Sequence, residues 1–198
     1  MPPRSDFRLS DKDRRTLLAL ARRAIFEMVS RRDFPDLFPP QGRLAEPGAA
    51  FVSVRCNGKL RGCVGRTSFD NPLAEIVVQC AIGAAFQDQR FRPLGHEDMD
   101  GLQIEISVLS ELLPLSPGEI EVGVHGILVI RNANRGLLLP QVAMERNWSA
   151  ERFLEEACRK AELALDSWRD PETKLFAFAA DVFCESSLVP PAAELIRI

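Results

Sequence analysis

Apolar residues recur at two different periods along this chain, and the change of period marks its elements. Leu17, Leu18, Ala21, Ala24, Ile25 and Met28 return every three or four positions, which predicts an amphipathic helix ending near residue 30. Ser10 precedes it, with Asp11 and Asp13 following; the hydroxyl caps the first turn and the acids face the positive end of the helix dipole. Pro35, Pro39, Pro40 and Pro47 make the next segment an irregular connection. Residues 51–56 and 59–64 then read as two strands about Asn57-Gly58, because a type I′ turn needs positive φ at both central positions. A two-residue loop without a bulge pairs Cys56 with Lys59, Val54 with Arg61 and Val52 with Cys63. Arg61 and Cys63 would then share a face with Val52 and Val54, unless a bulge at Gly62 breaks the register.

Further along, Asn71 and Pro72 read as the cap and first residue of a second helix, with Leu73, Ile76, Val77, Cys80 and Ala84 inward. Leu102, Ile104, Ile106 and Val108 alternate with Gln103, Glu105 and Ser107, the period of a strand with one buried face. Residues 126–131 and 136–139 predict a second hairpin around 132–135, closed by Pro140. Ser149 caps a helix that turns Phe153, Leu154, Ala157, Cys158 and Ala161 inward. Residues 175–185 read as one last strand, and the tail through Pro190 and Pro191 is unassigned. Hairpin-joined strands separated by helices predict an α+β fold with a mainly antiparallel sheet flanked by helices.

Composition narrows the function classes. The chain has 198 residues, enough for one domain or two closely packed lobes with a sizeable core, and 46% apolar with 27% charged residues is an ordinary globular balance. A net charge of −3 gives no general field toward nucleic acid or anionic lipid. No apolar run approaches the ~20 residues a membrane span needs, and the first residues lack the apolar core of a secretory signal. Five cysteines without a CxxC pair suit reduced thiols in the cytoplasm.

Against that background the stretch Leu60-Arg-Gly-Cys-Val-Gly65 stands out. Glycine in a strand interior costs backbone entropy, so Gly62 and Gly65 imply a close approach by another part of the protein or by a ligand. Arg61 would lie about 7 Å from Cys63 along the strand, where its charge favours the thiolate. The alternative is a small apolar core residue, the role assigned to Cys56, Cys80, Cys158 and Cys184 from their apolar surroundings. His125, in Val122-Gly-Val-His-Gly126, offers a base near neutral pH or a structural imidazole. His96-Glu-Asp-Met-Asp100 carries ligand-type side chains but reads as a solvated turn. Asp88 and Arg90 read as a local ion pair at a helix end. Glu105 and Ser107 point to solvent or a pocket, and Gln141 offers its amide or simply starts a helix. Lys59, Arg61 and Arg66 have no aromatic ladder beside them, and tyrosine is absent, so nucleic-acid binding is a weak expectation.

Leu60-Arg-Gly-Cys-Val-Gly65 closely resembles the signature hexapeptide of the AMMECR domain family. The resemblance continues in Ala84-Ala-Phe-Gln-Asp-Gln-Arg-Phe91, Pro93-Leu94, Ile104-Glu-Ile-Ser-Val-Leu-Ser110, Val122-Gly-Val-His-Gly-Ile127 and Leu139-Pro-Gln-Val-Ala143, spanning about residues 50 to 185. Val64 stands where isoleucine is common, and Gln89 where proline or serine is usual. The resemblance implies one domain over residues 1–198, a smaller lobe packed against a larger, with the LRGC segment near a cleft between them. It associates such proteins with Memo-like and radical S-adenosylmethionine proteins, and it brings no established reaction, cofactor or metal. The expectation is an enzyme or enzyme component acting on a small molecule or protein. Cys63 would be its nucleophile or redox thiol, Arg61 its anion or thiolate partner, His125 its proton carrier, and Glu105 and Gln141 its orienting groups. The competing expectation is a non-catalytic interaction module that grips a partner through the same segment.

Overall fold

The structure, a computed structural model, describes residues 7–31 and 40–187, with Arg31 described by its backbone alone. The connection through Pro35 and Pro39 and the tail through Pro190 and Pro191 lie outside the described residues. The fold is α+β, with two antiparallel four-stranded sheets rather than one. The chain divides into two compact units: Arg8–Val108 with the strand residues from Asp181 onward, and Leu109–Ala180.

The first unit begins with α1 (Asp11–Arg31), whose start is closed as the sequence predicts: the Ser10 hydroxyl accepts the Asp13 N–H at 3.2 Å. Strands β1 (Ala49–Cys56) and β2 (Lys59–Arg66) form the expected hairpin, with φ of 52° at Asn57 and 77° at Gly58. Helix α2 (Leu73–Phe86), β3 (Leu102–Leu109) and β8 (Ala180–Cys184) complete the unit, and the sheet order is β2-β1-β3-β8. Leu17, Ala21 and Ile25 of α1 and Leu73, Ile76 and Val77 of α2 pack with Val52, Val54, Ile104 and Ile106 in one buried cluster. Both helices therefore lie on the same face of the sheet.

Helix α2 starts differently from the sequence reading. Pro72, not Asn71, is its cap residue, and no side chain closes the turn. Instead the Asn71 carbonyl accepts the Gly48 N–H at 3.2 Å, and the Leu73 N–H donates to the Glu46 carbonyl at 2.9 Å. This strand-like pairing satisfies the backbone groups a capping side chain would otherwise take. The helix is also buried almost all round, Glu75 and Gln79 being the exceptions between Leu73 and Ala85.

The second unit carries β4 (Leu113–Pro114), β5 (Gly126–Arg131), β6 (Asn134–Leu138) and β7 (Lys174–Phe178) in the order β4-β7-β5-β6. The β5–β6 turn is tighter than predicted: Arg131 pairs directly with Asn134, and Asn132 takes φ of 53°. Pro140 begins a short helix, α3 (Pro140–Glu145), and Ser149 caps α4 (Ala150–Lys160) by accepting the Arg152 N–H at 3.2 Å. Phe153, Leu154 and Ala157 of α4 pack on Ile127, Val129 and Leu175.

The predicted last strand is two strands in two different sheets. The break is at Ala179, whose N–H donates to the Ser110 hydroxyl and whose carbonyl accepts the Ser110 N–H, both at 2.9 Å. Residues 175–183 are apolar at every position but Asp181, so no change in the pattern marks the crossing.

Candidate functional site

The β1–β2 pairing corrects the simple register. Cys56 faces Lys59 and Arg55 faces Leu60, but a bulge follows, and Val54 then faces Gly62, Ser53 faces Cys63 and Val52 faces Val64. Arg61 is the extra residue. Val52 and Val54 are in the core, so Gly62 and Val64 share the helix-bearing face while Cys63 projects from the other with Phe51 and Ser53. The thiol is half-buried and receives a contact from the Ser53 hydroxyl, with Oγ 3.3 Å from Sγ.

The two glycines of the segment have different neighbours. A Cβ on Gly62 would collide with the backbone carbonyl oxygen of Ala84, so the last turn of α2 rests directly on the strand. A Cβ on Gly65 would enter the Phe51 ring, which covers it on the opposite face. The close approach that the sequence implied is thus made by the protein itself at both positions.

The edge of β2 is held by the residues read as a local ion pair. Arg90 grips Asp88 through Nε at 2.9 Å and Nη2 at 2.6 Å. Asp88 Oδ2 in turn accepts the Cys63 N–H at 2.9 Å, and Arg90 Nη2 reaches the Cys63 carbonyl at 3.5 Å. An acceptor and a donor therefore meet the Cys63 peptide much as a neighbouring strand would. The Arg90 guanidinium foremost, with the Cys63 N–H, holds the Asp88 carboxyl well below its ordinary range against the opposing effect of burial.

Arg61 does not turn to the thiol. Its Nη1 bonds Asp98 Oδ1 at 2.7 Å and its Nη2 bonds the Arg92 carbonyl at 3.2 Å. Asp98, in the segment read as a solvated turn, is only 7% exposed and also accepts from Arg92 and the Gly95 N–H. Burial pushes its pKa up more than any single contact pulls it down. The Gly95 N–H, Arg61 and Arg92 together outweigh that effect, and the net direction is downward. A buried carboxylate is invisible in a sequence until the cations that pair with it are known.

The remaining cysteines separate clearly. Cys56, Cys80 and Cys158 are buried, and burial raises each thiol, Cys80 to about 11. Cys184 departs from the packing role assigned to it: it is half-buried, and its hydrogen bond with the Ser186 hydroxyl lowers its pKa. Glu105 is half-buried on the off-core face of β3, whereas Ser107, expected to face solvent or a pocket, is 3% exposed. His125 and Gln141 belong to the other unit. His125 is 5% exposed, and its Nδ1 accepts the Glu121 N–H at 3.2 Å, which leaves Nε2 to carry the proton of the neutral ring. Gln141 is a half-buried residue in the first turn of α3. Among the described residues no three His, Cys, Asp or Glu side chains are grouped to hold a metal ion, and no helix is long and apolar enough to cross a membrane.

Comparison with known proteins agrees over nearly the whole chain. A model of the AMMECR1 family matches residues 18–183. A protein of Methanothermobacter thermautotrophicus is 40% identical over 191 residues, covering 89% of this chain and 96% of that one. Another from Aeropyrum pernix is 39% identical over 206 residues, covering 99% of this chain and 87% of that one. The crystal structure of the uncharacterized protein PH0010 from Pyrococcus horikoshii aligns with a TM-score of 0.83 at 37% identity, covering 89% of this chain and 93% of that chain.

Proposed function

The chain belongs to the AMMECR1 family, and from that premise we propose that its working group is the Cys63 thiol. One observation carries this. Gly62, Gly65, Arg61, Asp88 and Arg90 each have a structural task, but the Cys63 thiol takes no part in these: it stands off the core, half-buried, met by the Ser53 hydroxyl, on a strand whose backbone is held elsewhere. Free cysteines that serve packing are buried; those that serve chemistry are accessible and held in place. The α2 turn beneath Gly62 and the Asp88–Arg90 pair at the edge restrict the direction in which the sulfur points, as a nucleophile requires.

The function is that of an enzyme or enzyme component acting on a small molecule or a protein. The family resemblance associates it with Memo-like and radical S-adenosylmethionine proteins, and five free thiols suit a reducing compartment. In the nucleophilic step the thiol proton passes to a base or to water. The sulfur electron pair bonds an electrophilic centre of the substrate, and the leaving group departs with the pair it held. Arg61, committed to Asp98, fixes the strand, and Glu105 orients substrate.

The test is mass-spectrometric profiling of the small molecules and proteins retained by the wild type and by Cys63→Ser. A species held by the first and lost from the second supports the reading. Identical profiles, with a folded variant, contradict it.

A further inference from the structure

Strand β2 lies at the edge of its sheet, and its outer side is only partly closed. The Asp88–Arg90 pair bonds the outward N–H and carbonyl of Cys63. Backbone groups alternate in direction along an antiparallel strand, so the N–H and carbonyl of Gly65, two residues on and facing Phe51 in register, point off the same edge. Among the described residues nothing is bonded to them from that side. An unpaired edge beside a covered one is a template for one more strand.

A groove of about 360 Å³ runs beside that open edge, between β2 and α2. Val64, Ile82 and Gly83 give it an apolar floor, while Arg66, Gln79 and Gln87 bring polar groups to its walls. Arg66 is exposed and has no acidic partner among the described residues, in contrast to Arg61, Arg90 and Arg92 nearby. The Gln79 Oε1 is buried without a hydrogen bond, an amide end left unsatisfied beside the groove. An edge strand, a flanking helix and a groove between them form the arrangement by which extended peptides are taken up as an added strand.

We propose that this groove binds an extended peptide segment bearing an acidic side chain or a terminal carboxylate. The peptide pairs with the Gly65 edge through its backbone, beginning where the Asp88–Arg90 pair ends. A side chain on its helix-facing side enters the groove over Val64 and Ile82, and its carboxylate meets Arg66. The reading is independent of the thiol chemistry, because Cys63 projects from the opposite face of the strand.

The probe is a random eight-residue peptide library displayed on phage and selected on the immobilised full-length protein. Enriched sequences are then synthesised and measured by fluorescence polarisation. The expected peptides share an acidic position, and Arg66→Ala weakens them about tenfold, the loss of one charge-assisted contact. Methylating the peptide nitrogens one at a time should abolish binding at every second position, since only alternate N–H groups face β2. In amide spectra the Gly65 N–H should gain exchange protection on binding. Failure to enrich any peptide overturns the proposal. So does binding that ignores Arg66→Ala and shows no two-residue period. Cys63→Ser should bind these peptides as the wild type does, which separates this proposal from the thiol reading.

Discussion

The Asp88 carboxylate accepts the backbone N–H of Cys63 at 2.9 Å, across 25 positions of sequence. That bond turns an apparently local Asp–Arg turn into the clasp of an edge strand, and it ties residues 84–91 to residues 60–65. It also separates two parts of the segment: the backbone of residues 62–65 is held for structural reasons, and the thiol is what remains to be explained.

The clasp should be measurable. Asp88→Ala removes the acceptor of the Cys63 N–H and the partner of Arg90, and should cost about 1–3 kcal/mol in urea denaturation. The Cys63 amide should lose protection in hydrogen exchange. Gln89→Ala, one residue away and exposed, should leave both readings near the wild type.

Gly62 and Gly65 should differ in tolerance. Gly62→Ala drives a methyl against the α2 backbone, which cannot yield without moving the helix, and should destabilise by about 3 kcal/mol. Gly65→Ala meets the Phe51 ring down to its Cγ, so that side chain must swing aside whole, and should cost about 1–2 kcal/mol. Thermal melts of the two variants decide the order; equal or reversed costs would contradict this placement of α2.

Acid should reveal the buried Asp98. Its folded pKa, like that of Asp88, lies below the unfolded value near ~4, so the native state binds fewer protons there. The stability each supplies is complete above about pH 4 and is lost as pH falls through the depressed folded value. Asp98→Asn should therefore be less stable at pH 7 yet lose less on acidification, as read from urea midpoints between pH 5 and 2. A variant with the same acid slope as the wild type would remove Asp98 from the account.

Much of this was legible in the sequence, for a physical reason. The Ser10 and Ser149 caps, the Asn57-Gly58 turn and the alternation from Leu102 to Ile106 depend on neighbours within a few residues, and all appear as read. The bulge at Arg61 showed only as the alternative that Gly62 raised, because a one-residue slip beside glycine leaves no apolar pattern to violate. The burial of Asp98, which depends on Arg61 lying 37 residues away, did not show, nor did the crossing at Ala179, where one apolar pattern serves two sheets. In the candidate site, the close approach at Gly62 and Gly65 was legible. The sequence could not say that the glycines answer to Ala84 and Phe51, or that Arg61 answers to Asp98.

If the thiol serves chemistry rather than packing, removing it should not harm the fold. Cys63→Ala should stay within about 1 kcal/mol of the wild type, as substitutions outside the core do. Cys80→Ser places a hydroxyl where a buried thiol was, and should cost about 1–3 kcal/mol. Urea denaturation of the pair makes the comparison.

Site-resolved alkylation of the native protein tests the central claim most directly. Iodoacetamide is applied across pH 6–9, and each of the five cysteines is read by mass spectrometry. Cys63 should label in the folded state, as the half-buried Cys184 does, while Cys56, Cys80 and Cys158 wait for denaturant. If Cys63 stays unlabelled until the chain unfolds, it is a packing residue and the proposed thiol chemistry is wrong.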